Sequence, residues 1–202
     1  VPDVQNLPQK PIPSEPINMD QRLVERTLAG DLTAFEVLVQ RHQDIVFRMA
    51  SRIVGSDTAE DVSQDAFLRA FHRLDRFRGD ASFRTWLLQI TQNAALSSLQ
   101  RRKIDPSGEL DTEDAEDPDA ARQPVTELER RERQERLSLK LELLRTDYRS
   151  LLVLRDLEGL SYSEIAEILD MPLGSVKGRL HRARDELIEL LRNNTYDWEL
   201  PK

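Results

Sequence analysis

Residues 172–184, PLGSVKGRLHRAR, carry Lys177, Arg179, Arg182 and Arg184, with His181 among them and no acidic side chain. On a helix, Ser175, Lys177, Gly178, Arg179, His181 and Arg182 share an outward face. Lysine and arginine there can hold phosphates or guanine edges, and Gly178 lets the backbone come close. A second basic group surrounds RFRGDASFRTW: Arg76, Arg78 and Arg84 alternate with Phe77, Phe83 and Trp86, and Arg101, Arg102 and Lys103 follow at the end of the next helix. Cations on a backbone beside an exposed aromatic suit unpaired bases, which stack on the ring. Phe77, in the loop, is the stacking candidate, whereas Phe83 and Trp86 stand at helical spacing and suit a core.

Glu60, Asp61, Gln64 and Asp65 line one face of a further helix. A hard-cation site needs ligands converging from several places or a tight loop, so this stripe is either a surface for a protein partner or plain solvated helix. Cysteine is absent, which excludes disulfides, thiolate metal sites and a cysteine nucleophile. The three histidines form no catalytic set: His42 lies on an apolar stripe, His72 is expected at the surface and His181 is on the basic helix. No active site, metal or cofactor is implied.

The chain of 202 residues has a formal net charge of −8, which sits oddly beside two basic surfaces. The residues from Asp105 to Asp119 resolve this. Eight acids and no bases fall there, equal to the net charge of the whole chain, so the remainder is close to neutral and can carry basic faces.

The elements that must position these residues are helices. Charged residues make up 33%, aromatics 5%, and there are only 7 glycines, a balance that favours helices over sandwiches and barrels. Gly30 ends a first helix and Asp31 caps the second, whose apolar stripe runs through Phe35, Leu38, Val39, His42, Ile45, Val46, Met49 and Ile53. Gly55 stops it. Asp57 and Glu60 stand at capping-box spacing before a third helix burying Val62, Ala66, Phe67, Ala70, Phe71 and Leu74. A fourth, from about Ala81 to Arg102, turns Phe83, Leu87, Ile90, Ala94 and Leu99 inward.

The acidic stretch then separates a second helical group. Thr126 and Glu129 suit a capping box, and packing starts near Leu137, Leu141 and Leu144. TDYRSLLVLRDLEGL forms a helix stopped by Gly159, and Ser161 and Glu164 cap a short one. Pro172 and Gly174 break the chain before a last helix with Val176, Leu180, Ala183, Leu187 and Leu191 on one face. A short and a long helix joined this way make a helix-turn-helix, with Ile165, Ala166 and Leu169 against Val176 and Leu180. Arg184 is expected to pair with Asp185 or Glu189.

The expected fold is all-α: two small helical domains joined by an acidic flexible linker, the C-terminal one containing the helix-turn-helix. Residues 1–19, rich in proline, read as a disordered leader and not as a signal peptide. Residues 20–103 form the first domain, 104–125 the linker, 126–192 the second domain and 193–202 a tail. No apolar run approaches the roughly 18 to 20 residues that span a bilayer, so a soluble cytoplasmic protein is expected. From residues alone, a stand-alone helix-turn-helix regulator and a protein-interaction module stay open.

AEDVSQDAFLRAFHRLDRFRGDASFRTWLLQITQNAALSSLQRRK and LLVLRDLEGLSYSEIAEILDMPLGSVKGRLHRARDEL together resemble the extracytoplasmic-function (ECF) group of bacterial RNA polymerase sigma factors. The resemblance spans about residues 20–192. It implies a transcription initiation factor, not an enzyme, whose partners are core RNA polymerase, through the beta-prime clamp helices and the beta subunit, and promoter DNA. An anti-sigma factor is a further partner common in the group. Asp61, Gln64, Asp65 and Leu68 match the clamp-docking positions. Arg76, Phe77, Arg78, Ser82, Arg84, Trp86 and Asn93, with the basic helix end Arg101, Arg102 and Lys103, match the part that captures flipped bases of the minus-ten element. Ser175 to Arg184 matches the helix that reads the minus-thirty-five duplex. The chain departs from the common pattern with Leu144-Arg145 in place of Leu-Pro, GSVKGR in place of GTVKSR, and Ser97 where an aspartate is frequent.

Overall fold

The computed structural model describes residues 19–104 and 137–192. The leader to residue 18, the linker from residue 105, the Thr126–Glu129 capping box and the tail lie outside the described residues. Within them every regular element is helical.

In the N-terminal half, α1 (Met19–Leu28) leads through Gly30, at φ +99°, to α2 (Leu32–Val54). Asp31 caps α2: its carboxylate accepts from the Thr33 N–H at 3.1 Å and hydroxyl at 2.6 Å, and from Arg26 at 2.6 Å. The Thr33 hydrogen bond and then that from Arg26 hold the Asp31 carboxyl at about 2. Gly55, at φ +89°, takes a positive-φ conformation open to glycine where α2 ends, and its N–H closes on the Ser51 carbonyl. α3 (Ser56–His72) starts at once, so Asp57 is already inside its first turn. The expected Asp57–Glu60 capping box is therefore absent, and Glu60 instead accepts from Gln64 at 3.2 Å. A 3-10 turn (Leu74–Arg76) leads into the loop before α4 (Phe83–Ile104).

α2 packs against α1, α3 and α4, and α3 against α4. Ala59, Ala66 and Ala70 are fully buried, letting α3 come close to Leu38, Val46, Met49 and Ile53 of α2. Phe71, expected inside, is 38% exposed with its edge against Phe35, 4.9 Å between centroids. His42 is buried on the apolar stripe and has a polar partner there, the Asp20 carboxylate of α1 at 2.9 Å.

The C-terminal half begins with helical residues 137–143 (α5), followed by α6 (Thr146–Leu152), which relaxes into a π-helical turn over Val153–Leu157. There the Glu158 N–H reaches back to the Val153 carbonyl at 2.9 Å. α7 (Tyr162–Ile168) and α8 (Leu173–Arg192) complete it. Leu141, Leu151, Leu154, Leu160, Ile165, Ile168, Val176, Leu180 and Ala183 form its core.

Nothing in the sequence pattern places the two halves in contact, yet they share one continuous apolar core. α4 packs on α7, and α2 on α6 and the π turn.

Candidate nucleic-acid interface

The basic helix is positioned by a short capped helix and a tight turn. At the start of α7 the Ser161 hydroxyl accepts from the Glu164 N–H, and the Glu164 carboxylate accepts from the Ser161 N–H at 2.8 Å. These Ser161 hydrogen bonds, aided by the charge of Arg84, hold the Glu164 carboxyl below its usual range. The turn is made by Asp170, at φ +47°, with the Met171 N–H on the Ala166 carbonyl at 2.9 Å. Aspartate tolerates this left-handed conformation better than most residues. Gly174, expected in the break, lies inside the first turn of α8.

Val176, Leu180 and Ala183 turn inward and are buried, which leaves Lys177, Gly178, Arg179, His181 and Arg182 exposed and Ser175 half-buried. A Cβ added at Gly178 would meet nothing within 4 Å, so its backbone is open to a partner. His181 lies 3.6 Å from Asp185 of its own helix. Arg184 departs from expectation: it reaches Asp156 of the π turn through two hydrogen bonds of 2.5 and 3.0 Å, and this raises the pKa of its guanidinium. The pairing works because the chain reversal at Gly159 and the following turn bring the π turn beside α8. Arg184 therefore holds α8 in place.

Arg76, at the end of the 3-10 turn, and Arg78, in the loop before α4, are exposed. Phe77, Phe83 and Trp86 form a three-ring cluster with centroids 5.4 to 5.8 Å apart. Phe83 is 1% exposed and belongs to the core; Phe77 and Trp86 are half-buried on top of it. Phe77 is thus no isolated loop ring, and Trp86 is as available as Phe77. Ser82 caps α4 by accepting from the Thr85 N–H at 3.0 Å. Further along α4, Asn93, Arg101 and Lys103 are exposed, and Arg84 is half-buried facing α7. The Arg102 guanidinium is engaged with the Val54 carbonyl and the Thr58 hydroxyl, so it ties α4 to the α2–α3 corner.

On α3, Asp61, Gln64 and Leu68 are exposed, and half-buried Asp65 pairs with Arg69 at 2.7 Å. Beside this stripe runs an open groove of about 530 Å³ between α2 and α3, lined by Val39, Phe47, Gln64 and Phe67 among others. Phe47, 46% exposed, was not among the residues singled out from sequence. The signal for it is a large apolar residue off the buried stripe of α2. Among the described residues no cluster of three or more carboxylates and histidines could hold a metal, and no helix is long and apolar enough to cross a membrane.

Residues 38–104 match the family model for sigma-70 region 2, and residues 134–187 match that for sigma-70 region 4. The chain is 40% identical over 175 residues to the ECF RNA polymerase sigma-E factor of Escherichia coli K12, covering 83% of this chain and 92% of that one. This chain belongs to the ECF group of sigma-70 factors. The corresponding factor of Haemophilus influenzae is 38% identical over 177 residues, 84% of this chain and 93% of that one. Among solved structures, CnrH in complex with the cytosolic domain of CnrY matches with a TM-score of 0.64 at 30% identity, covering 88% of this chain and all of that one. The Bartonella quintana sigma factor RpoE, solved with the anti-sigma factor NepR, shares the fold with a TM-score of 0.58 at 24% identity, covering 79% and 98%.

The sigma factor binds core RNA polymerase and directs promoter-specific initiation of transcription. Its region 2 match covers most of α2 with α3, the aromatic loop and α4; its region 4 match covers the helix-turn-helix.

Proposed function

We propose that this sigma factor divides promoter recognition between two sets of side chains. Ser175, Lys177, Gly178, Arg179, His181 and Arg182 on α8 read the minus-thirty-five duplex. Arg76, Phe77, Arg78, Ser82, Arg84, Trp86, Asn93, Arg101 and Lys103 hold the unpaired minus-ten strand, with Arg102 fixing the helix that carries the last of them. Asp61, Gln64, Asp65 and Leu68 dock on the beta-prime clamp helices, and the α2–α3 groove extends that surface. Residues 20–103 and 126–192 act as the two functional domains, with residues 104–125 as the linker. Bond-making belongs to the polymerase, so the chain is not itself an enzyme, and it acts in the cytoplasm.

The observation that supports this division is the presence in one chain of two unlike basic surfaces. One is a cationic face on the second helix of a helix-turn-helix, suited to duplex grooves; the other is an aromatic cluster ringed by arginines, suited to separated bases. A regulator that binds only duplex DNA needs no second surface. We also infer that an anti-sigma factor binds the chain, because CnrH, at 30% identity, is seen with the cytosolic domain of a second protein.

The deciding experiment is transcription in vitro with core RNA polymerase on genomic fragments, with start sites mapped. Initiation dependent on this chain at a shared promoter sequence is expected. Transcripts that arise equally without the chain would overturn the proposal.

A further inference from the structure

His42 is the one polar residue among the buried positions of α2, and a carboxylate from α1 holds it there. Its Nε2 lies 2.9 Å from Oδ2 of Asp20, in the first turn of α1, and the other oxygen of that carboxylate accepts from Arg41 Nε at 2.9 Å. The imidazole and the carboxylate are each only 9% exposed. The region 2 match starts at Leu38, so α1 lies wholly before it.

On its other side the imidazole meets the ring of Phe83, 5.5 Å between centroids and tilted by 50°. Phe83 in turn carries Phe77, edge-on at 5.7 Å and 84°, and Trp86 at 5.8 Å. Phe83 is buried whereas Phe77 and Trp86 are half-buried, so the two outer rings rest on a ring that His42 supports from below. α1 also packs on the 3-10 turn, whose Leu74 carbonyl accepts from the Phe77 N–H at 3.1 Å. One short helix thus reaches the aromatic cluster by two routes: through the side chain beneath Phe83, and through the backbone that leads into Phe77.

Stability alone is a poor reason for this pair. Charged and polar partners taken out of water contribute little net free energy, and an apolar side chain of similar volume is often neutral or stabilising in their place. A leucine at position 42 would simply continue the stripe of Leu38, Ile45, Val46 and Met49. What it would not do is fix a plane. Rotation of an imidazole about χ2 is broad when nothing holds it, and the Asp20 hydrogen bond removes that freedom. A ring of fixed plane against Phe83 restricts how Phe83 turns, because contacts between such rings depend on their orientation. The restriction passes on to Phe77 and Trp86, whose outer faces are the ones an unpaired base would meet.

We propose that His42, held by Asp20, is a positioning residue for capture of the minus-ten strand: it touches no DNA, sets the orientation of the Phe83–Phe77–Trp86 cluster, and makes α1 part of the base-capturing device. The effect on DNA rests on the reading given above, in which Phe77 and Trp86 hold unpaired bases; the control of ring orientation does not.

The test combines spectra of the free full-length chain with binding by holoenzyme reconstituted on core polymerase. Trp86 and Trp198 are the two tryptophans, so in a Trp198→Phe background the fluorescence reports Trp86 alone. His42→Leu removes the hydrogen bond and keeps the bulk. It is expected to change the Trp86 emission and the near-ultraviolet circular dichroism, and to weaken binding of a single-stranded minus-ten oligonucleotide by about five- to tenfold, the low end of what one stacked base contributes. Melting temperature and affinity for core polymerase and for a minus-thirty-five duplex should stay as in the wild type. Asp20→Ala should reproduce the minus-ten loss with the imidazole still present, and His42→Gln, which keeps an Nε2 donor and a planar group, should recover most of it. Wild-type minus-ten affinity in His42→Leu where Trp86→Ala weakens it, a loss that His42→Gln does not recover, or an equal loss of minus-thirty-five binding with a lower melting temperature would each overturn the proposal. If His42→Leu changes the spectra while Trp86→Ala and Phe77→Ala bind the minus-ten strand as the wild type does, the stacking reading fails and His42 stands as the residue that orients the rings.

Discussion

Replacing Lys177, Arg179 and Arg182 singly with alanine separates a helix that reads duplex DNA from one that is merely solvated. All three side chains are exposed, and α8 is held from its opposite side by Val176, Leu180 and Ala183. Each change should therefore move stability by no more than about 0.5 kcal/mol. A side chain on a base edge contributes about 1–3 kcal/mol, or roughly 5- to 150-fold in Kd for the correct sequence. One on a phosphate instead weakens binding to all sequences and reduces the log–log salt slope by about 0.9. Arg184 supplies an internal control, because its guanidinium is already committed to Asp156. Arg184→Ala should leave the salt slope unchanged while costing the fold up to about 1 kcal/mol, as an exposed pair does. The assay is fluorescence anisotropy of a labelled minus-thirty-five duplex, titrated with full-length protein over a series of salt concentrations, with thermal melts as the folding control. Wild-type affinity and slope in all three variants would remove α8 as the reader. A loss confined to Arg184→Ala would show that the DNA contact lies on the π-turn side of the helix.

Three further outcomes are expected. Asp61→Arg reverses an exposed charge on α3 and should abolish co-purification with core polymerase at unchanged melting temperature; retained co-purification would count against clamp docking by this stripe. Phe83→Ala empties a site 1% exposed and should cost about 3–5 kcal/mol, whereas Trp86→Ala should cost less and weaken binding of single-stranded minus-ten DNA by about 1–3 kcal/mol; the reverse order in calorimetry would refute the division between core and stacking rings. The Asp31 carboxyl is lowered from an ordinary 3.8 to about 2, so its cap stabilises the fold above the ordinary value and is lost as pH falls through about 2. Asp31→Asn, which keeps a capping oxygen, should weaken the pH dependence of stability between about pH 4 and 2 in acid titrations by circular dichroism, and an identical profile would show that the shift is not coupled to folding.

Much of the fold is carried by local signals. The three- and four-residue spacing of Leu38, His42, Ile45, Val46, Met49 and Ile53 makes α2 visible, and all six are buried. Asp31, Gly55 and the Ser161–Glu164 box mark helix ends because capping depends on residues only two to four apart. The exposed cations of α8 follow in the same way, since the inward positions of Val176, Leu180 and Ala183 determine which residues face out. Where local signals compete, spacing is ambiguous. Asp57–Glu60 has capping-box spacing, but with Gly55 at the N-cap the helix starts two residues too early for it to form. Phe71 lies on a helical stripe, yet it is 38% exposed, with one edge against Phe35.

The sequence by itself determined the helices, the segregation of charge and the two basic surfaces, because periodicity and composition are local properties of the chain. Only the tertiary structure decided which charges are available. Arg102 is taken by α2 and α3, Arg184 by Asp156 and Arg149 by the end of α2, through partners 28 to 96 residues away. The same holds for the interface between the halves, where Glu158 meets Arg48 and Arg52 at separations of 110 and 106 residues. No spacing rule links positions so far apart; only the packing of α4 on α7 and of α2 on the π turn brings them together.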